Sequence, residues 1–350
     1  MKRILVAPLN WGLGHATRCI PIITSLEAHG FEPIIASDGQ ALALLKMEFP
    51  HLTHVELPSY NITYADKGEK FKLKLIKDSP HLIKTIKKEK KATKNIISKY
   101  NIDGIISDNR FGVRHKRIPS VFITHQLRVL SGTTTWLSTA LHKQIIEKFN
   151  ECWIPDQKDN PNLSGKLGHV DNMGLPLCYL GPLSRFTKSN QIKRYKLMVL
   201  LSGPEPQRTM LEEQLLNELE NYKGPCLFVK GKIESAQTKE EYNNLTIYNF
   251  LTSKDLEEAL NSSELILSRS GYTTVMDLAK LGNKAFFIPT PGQFEQEYLA
   301  QKLMEDGIAP FATQDSFHLS LLKEIEKFKG FNELNYLVDY ATLFSLFKRK

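Results

Sequence analysis

The chain has 350 residues, 41% of them hydrophobic, and its 46 Lys and Arg against 38 Asp and Glu give a formal charge of +8. That length predicts two or three domains with ample apolar residues for compact cores, and the composition excludes a disordered or low-complexity chain. The four cysteines, Cys19, Cys152, Cys178 and Cys226, are scattered and form no Cys-x-x-Cys pair, which fits neither a disulfide framework nor a zinc site and points to a reducing cytoplasm.

From Lys2, two basic residues and the apolar run Ile4 to Ala7 imitate the opening of a signal peptide. Pro8, Asn10 and Gly12 break that run at once, with no small-residue cleavage pattern, so a first β-strand is expected. Asn10 to Arg18 then forms a glycine-containing turn into a helix carried by Ile20, Ile23 and Leu26. Pro33 to Ala36, Gly104 to Ser107 and Ser120 to Thr124 are short apolar runs of parallel-strand type, separated by segments of helical period. After a second basic, apolar and glycine-turn opening at Arg194 to Gly203, the runs Cys226 to Val229, Leu245 to Tyr248, Glu264 to Leu267 and Ala285 to Ile288 repeat the theme. Two such series predict two α/β domains, each with a doubly wound parallel sheet. Residues 1–181 are expected as the first and 193–330 as the second. A polar linker is expected over 182–192, after Gly181, and a C-terminal helix over 331–350, packing back on the first domain. No apolar run approaches the roughly 20 residues of a membrane-spanning helix.

Lysines crowd residues 67–99, from Lys67 and Lys70 to Lys94 and Lys99, and alternate with Phe71, Leu75, Ile83, Ile86 and Ile97. A basic amphipathic segment suits an anionic lipid surface or a phosphate, with a plain solvated helix face as the alternative. No aromatic platform there supports nucleic-acid stacking, so no nucleic-acid partner is expected.

The segment Ser268 to Asp277 places a small-residue turn between an apolar run and the helical pattern of Val275, Leu278, Ala279 and Leu281. Ser270, Gly271, Thr273 and Thr274 fall on a first helical turn, whose amides lack intrahelical acceptors and carry the positive end of the helix dipole. A phosphate or diphosphate suits that turn, and Arg269 or Arg18 would be a cationic helper; a well-capped helix start without a ligand is the alternative. Asp277, on the same helix face, can accept hydrogen bonds from sugar hydroxyls.

Gly12 and Gly14 let backbone approach a ligand, and His15 follows them at a helix N-terminus, where the dipole disfavours imidazolium and keeps the ring able to accept a proton. His15 is thus a candidate general base, with His125 and Asp108 as alternatives at the ends of later apolar runs. Gly12-x-Gly14 with Asp38 after the next strand also matches two elements of a dinucleotide fingerprint, but Thr17 stands at its third glycine. No Asp-x-Asp metal motif occurs.

Taken in order, Tyr248 to Leu256, Ala259 to Glu264, Ser268 to Gly271, Asp277, Gly282, Ile288 with Pro289, and Gln293 to Ala300 resemble the C-terminal donor-binding domain of MurG-like glycosyltransferases, glycosyltransferase family 28. Gly12, Gly14 and His15 are similar to the family's glycine-rich loop with its proposed catalytic His, and His125 with Gln126 resembles a motif of the same domain. The resemblance implies the GT-B fold, two Rossmann-like doubly wound domains facing each other across a cleft. It implies an inverting, metal-independent transferase that moves a hexose or N-acetylhexosamine from a UDP-sugar to an acceptor hydroxyl, with no cofactor. A lipid-linked acceptor in cell-envelope glycan or glycolipid synthesis, and a cytoplasmic enzyme peripheral to the inner membrane face, belong to the same expectation. On matching positions, Phe250 and Leu251 meet the uracil, Ser270 and Gly271 the diphosphate, and Asp277 the ribose, where the family usually has Glu. Glu295 and Gln296 fall where the donor sugar is contacted, and Ser202 with Gly203 in a glycine-rich turn from which Pro204, Glu205 and Pro206 depart. A UDP-sugar 2-epimerase of the same architecture and a non-enzymatic, basic membrane-surface module are the alternatives.

Overall fold

The computed structural model describes residues 1–350 except 61–70, 130–134, 171–172, 233, 235, 332–337 and 349–350, with backbone alone for 71–80, 135–138 and 141. Met1–Thr63, Lys72–Leu183 and Tyr336–Lys350 form one compact unit, and Ser184–Asn335 make most of the other.

In the first unit the elements run β1 (Lys2–Pro8), α1 (Gly14–Ala28), β2 (Phe31–Ser37), α2 (Gly39–Glu48), β3 (Thr53–Glu56), α3 (Phe71–Tyr100), β4 (Gly104–Asp108), β5 (Ser120–Ile123), α4 (Thr135–Ile146), β6 (Glu151–Ile154) and β7 (Leu177–Tyr179). The strands form one sheet in the order β3-β2-β1-β4-β5-β6-β7, parallel at every pairing. Ile4, Leu5, Val6 and Ala7 of β1 are fully buried, as are Ile105 and Ile106 of β4. Continuous apolar runs of this kind are what a parallel sheet packed on both faces demands, and each fully buried Val, Leu or Ile contributes about 1.5–3 kcal/mol relative to exposure.

Helix α3 buries Thr85, Glu89, Thr93 and Ile96 along one side and exposes Lys84, Lys87, Lys88, Lys90, Lys91 and Lys94. Lys67 and Lys70, part of the basic segment, lie outside the described residues. Glu89 is wholly buried, which is tolerable only because its carboxylate is paired and hydrogen-bonded. Arg110 Nε donates to its Oε1 at 2.7 Å, and Gly112 N and Tyr60 Oη donate to its Oε2 at 2.9 and 2.5 Å. The same guanidinium reaches Asp38 Oδ1 at 2.8 Å and the carbonyl of Pro58 at 2.7 Å, so one buried Arg ties α3 to the loops after β2 and β3.

The second unit runs β8 (Leu197–Leu200), α5 (Gln207–Leu219), β9 (Cys226–Val229), β10 (Lys239–Tyr242), β11 (Leu245–Tyr248), α6 (Ser253–Asn261), β12 (Leu265–Ser268), α7 (Tyr272–Leu281), β13 (Lys284–Phe287) and α8 (Phe294–Glu305). Its sheet has the order β10-β11-β9-β8-β12-β13, parallel except for β10 on β11. Leu197, Val199, Phe228, Leu267 and Ile288 share one core with Leu211 and Leu215 of α5. Of the expected linker 182–192, the residues from Ser184 on are tied to this unit: Thr187 N donates to Glu257 Oε2 at 2.9 Å and Ser189 N to Asn261 Oδ1 at 3.0 Å, and Lys193, the residue just past the linker, donates from Nζ to the carbonyls of Asn261 and Ser263 at 2.8 Å each. The polarity that suggests a linker serves these acceptors.

Among its described residues the C-terminal segment holds two short helices, α9 (Tyr340–Leu343) and α10 (Ser345–Lys348), where one is expected over 331–350. It belongs to the first unit, where Phe344 meets Phe31 edge-on at 5.7 Å and Phe347 meets Trp153 at 6.1 Å. Lys2 Nζ donates to the carbonyl of Phe347 at 2.7 Å. A Cβ added at Gly104 would collide with the Phe347 ring and come within 2.8 Å of Ile4 Cδ1, so this strand position admits no side chain.

Candidate active site

In the first sheet β1 lies between β2 and β4, and the connection order reverses there. Ligands of open α/β sheets bind at the carboxyl ends of strands beside such a reversal. His15 follows β1, Asp108 ends β4 and His125 follows β5, three neighbouring strands, so parallel pairing brings together residues more than 90 positions apart. His15 Nδ1 lies 2.8 Å from Asp108 Oδ1. Arg18, one helical turn after His15, donates from Nε to Asp108 Oδ2 at 2.5 Å and from Nη2 to Asp108 Oδ1, while its Nη1 lies 3.0 Å from His125 Nδ1.

Those contacts assign the tautomers. A guanidinium only donates, so His125 Nδ1 accepts and its proton sits on Nε2. Arg18 Nη2 also lies 2.8 Å from His15 Nδ1, but that nitrogen faces a carboxylate oxygen, which requires a proton between them, and the guanidinium already has that carboxylate to donate to. His15 therefore carries its proton on Nδ1 and presents Nε2, unpaired among the described residues, as the acceptor. Its side chain keeps 12% exposure, against none for Asp108. Burial lowers the His15 pKa below the usual imidazole value; the Asp108 charge opposes this and the Arg18 charge adds to it. Burial alone would raise the Asp108 carboxyl, but Arg18 and then His15 hold it well below the ordinary carboxylate range. Asp108 is thus a permanent anion that orients His15, and a poor base itself.

In the second unit β8 and β12 flank the corresponding reversal. β12 ends at Ser268 and α7 starts at Tyr272, with Gly271 at the N-cap in an extended conformation (φ −68, ψ 139). Ser270 therefore precedes the helix rather than opening it. A Cβ built on Gly271 would meet nothing within 4 Å, so open space lies in front of this first turn. Further along α7, Asp277 Oδ1 accepts from Ser184 Oγ at 2.6 Å. Burial pushes the Asp277 carboxyl up to about 6, against the opposing effects of the Arg185 charge and the Ser184 hydrogen bond.

Residues 207–337 match the glycosyltransferase family 28 C-terminal domain. Over 329 residues the chain is 22% identical to a UDP-N-acetylglucosamine--N-acetylmuramyl-(pentapeptide) pyrophosphoryl-undecaprenol N-acetylglucosamine transferase of Haemophilus ducreyi, covering 90% of this chain and 86% of that one. An uncharacterized glycosyltransferase of Methanosarcina mazei is 24% identical over 365 residues, 95% of this chain and 92% of its own. The crystal structure of Acinetobacter baumannii MurG superimposes with a TM-score of 0.55 at 14% identity, covering 99% of this chain and 92% of that one, which establishes a common GT-B fold. The chain carries a glycosyltransferase family 28 C-terminal domain and is similar over most of its length to a MurG-type transferase.

The positions read from the sequence divide by where their side chains point. Gly12, Ser202 and Gly203 are exposed, and Gly14, Phe250, Leu251, Gly271, Thr273, Thr274 and Glu295 are half-buried at the carboxyl ends of their sheets or on the helices that follow. Three others turn inward. Ser270 Oγ donates to the carbonyl of Gln296 at 2.8 Å; Gln296 Oε1 accepts from Thr290 N at 2.9 Å and its Nε2 donates to Gln293 Oε1 at 2.6 Å. These bonds fix α8 against the turn before α7. Arg269 is fully buried and spends its guanidinium on the carbonyls of Ile288, Pro289 and Gln207 and on Gln314 Oε1, at 2.7–3.1 Å, so it is not the expected cationic helper. Arg18 is excluded from that role by the same logic, since it neutralises Asp108 inside the first unit. Asp38 is held by Arg110 and by Asn10 Nδ2 at 3.1 Å, which leaves it no part in binding a nicotinamide dinucleotide. Sequence reasoning had no signal for Ser184; Arg18 as the partner of Asp108 was recoverable, because His15 and Arg18 stand at helical i,i+3 spacing. Among the described residues no group of three or more His, Cys, Asp or Glu side chains could hold a metal ion.

Proposed function

We propose that this enzyme transfers a hexosyl or N-acetylhexosaminyl group from a UDP-sugar to an acceptor hydroxyl with inversion and without a metal ion. The observation that carries the proposal is the His15–Asp108 pair: a neutral imidazole, held by a buried carboxylate, with its second nitrogen unpaired. His15 Nε2 takes the acceptor proton as the acceptor oxygen bonds to the anomeric carbon; the bond from that carbon to the diphosphate oxygen breaks, and UDP leaves with the electron pair. Asp108 stabilises the imidazolium that forms, and the first turn of α7 supports the departing charge where a metal would otherwise serve. Uridine as the base rests on the names of the curated relatives.

A lipid-linked acceptor reached from an anionic membrane surface belongs to the same proposal. In support, Ile83, Ile86, Phe111 and Ile145 line a groove together with Lys87, Lys90, Arg114 and Lys148. Apolar side chains ringed by cations match a surface with phosphate headgroups over hydrocarbon. No described helix is long and apolar enough to cross a membrane. The test is a panel of UDP-glucose, UDP-galactose, UDP-N-acetylglucosamine and GDP-mannose by calorimetry, followed by turnover of whichever donor binds, for wild type and His15→Ala. His15→Ala should retain donor affinity and lose about 10² to 10⁴ in kcat; undiminished turnover would remove His15 as the base, and failure to bind any UDP-sugar would remove the donor reading.

A further inference from the structure

We propose that Ser184 is a positioning residue for the donor, aiming the Asp277 carboxylate at the ribose diol of a nucleoside diphosphate; this rests on the donor reading of the second unit. Ser184 Oγ accepts from the amide of Phe186 at 3.1 Å and donates to Asp277 Oδ1 at 2.6 Å. A hydroxyl has one proton, and with Phe186 N–H filling an acceptor site that proton is committed to the carboxylate. Asp277 Oδ2 accepts no hydrogen bond among the described residues, and a carboxylate offers about four acceptor sites, so most of its capacity is left for a pair of vicinal hydroxyls.

The arrangement answers a geometric problem posed by the sequence. Asp277 has a short side chain with one methylene between backbone and carboxylate, so its reach depends on its rotamer being fixed. Ser184 fixes it from outside helix α7, and it is the first residue of the Ser184–Asn335 segment, directly after the Lys72–Leu183 segment of the first unit. The residue that orients the ribose ligand is therefore also the residue that opens the main segment of the donor-binding unit. Arg185, next along, contributes the positive charge that favours the ionised carboxylate.

The experiment uses the full chain and titrates it with UDP and with 2′,3′-dideoxy-UDP by calorimetry, which needs no acceptor. Ser184→Ala should weaken UDP binding about three- to tenfold, leave the dideoxy analogue unchanged, and move the acid-side loss of UDP affinity to higher pH, because the ionised carboxylate loses a donor. Ser184→Thr, which keeps the hydroxyl, should restore both the affinity and the pH profile. Equal weakening of both nucleotides, or unchanged UDP binding and pH profile in Ser184→Ala while Asp277→Asn weakens UDP, overturns the positioning role and leaves the donor reading intact. If Asp277→Asn also leaves UDP affinity unchanged, or wild type binds no UDP, the ribose contact itself is wrong and this role falls with it.

Discussion

Asp108 Oδ1 and His15 Nδ1 stand 2.8 Å apart, one at the end of β4 and the other on the helix that leaves β1, with the Arg18 guanidinium bridging both carboxylate oxygens. The carboxylate is thereby kept ionised, the ring is kept in one tautomer, and neither depends on solvent.

Asp108→Asn should lower kcat by about 10² to 10⁴ with donor affinity little changed, since an amide can present either face to Nδ1 and no longer enforces the tautomer. Stopped-time assays at saturating donor, with circular dichroism to check folding, measure this. In wild type the active form is neutral His15, whose pKa lies below the usual imidazole value, so kcat/KM should be flat through pH 7 and fall only as pH drops below the ordinary imidazole range. A profile already falling between pH 8 and 7 would contradict the assignment.

Asp277→Asn should stabilise the free protein while weakening UDP. The folded-state carboxyl sits at about 6, above its ordinary value of 3.8, so the folded protein binds that proton more readily than the unfolded chain does. The stability this contributes is complete below pH 4 and lost as pH rises through 6. Removing the charge should therefore gain about 3 kcal/mol at pH 7.5 and nothing at pH 4, read from urea unfolding at the two pH values.

Glu89→Ala should cost about 3–5 kcal/mol, because it strands the buried Arg110 without its main counter-charge. Glu89→Gln keeps the acceptor for Gly112 N and should cost less. Chemical denaturation gives both values, and a cost below 1 kcal/mol for the Ala variant would show that water or a local shift satisfies Arg110.

Gly104→Ala should cost about 1–3 kcal/mol by driving a methyl into the Phe347 ring and Ile4. Phe347→Leu in the same chain should recover part of that loss if the collision is the cause, and a thermal-shift series on the two single variants and the double variant decides it.

Buried strands were legible where the chain wrote them as unbroken apolar runs: Cys226–Val229 and Leu245–Tyr248 agree to the residue, and Ile4 to Ala7 lies inside β1. β3, β6, β7 and β10 escaped: the apolar runs of β6 and β7 are only three residues long, and Lys239–Tyr242 is wholly exposed and reads as a polar loop. The loops that carry the candidate site were legible too, since they follow those runs. Side-chain direction was not. Nothing in Ser270, Gln296 or Arg269 as residue types tells whether a polar group faces a ligand or a neighbouring carbonyl, and in all three the carbonyls and amides of adjacent turns won.

Glu89 also governs what happens on the opposite side of α3. A thirty-residue helix resting on apolar contacts alone could roll by a fraction of a turn at little cost, and its surface charges would sweep an arc. One carboxylate locked to Arg110 beneath removes that freedom, so Lys84, Lys87, Lys88, Lys91 and Lys94 are presented at a set angle to the sheet. The aim of the positive surface is decided by a negative charge that the helix conceals.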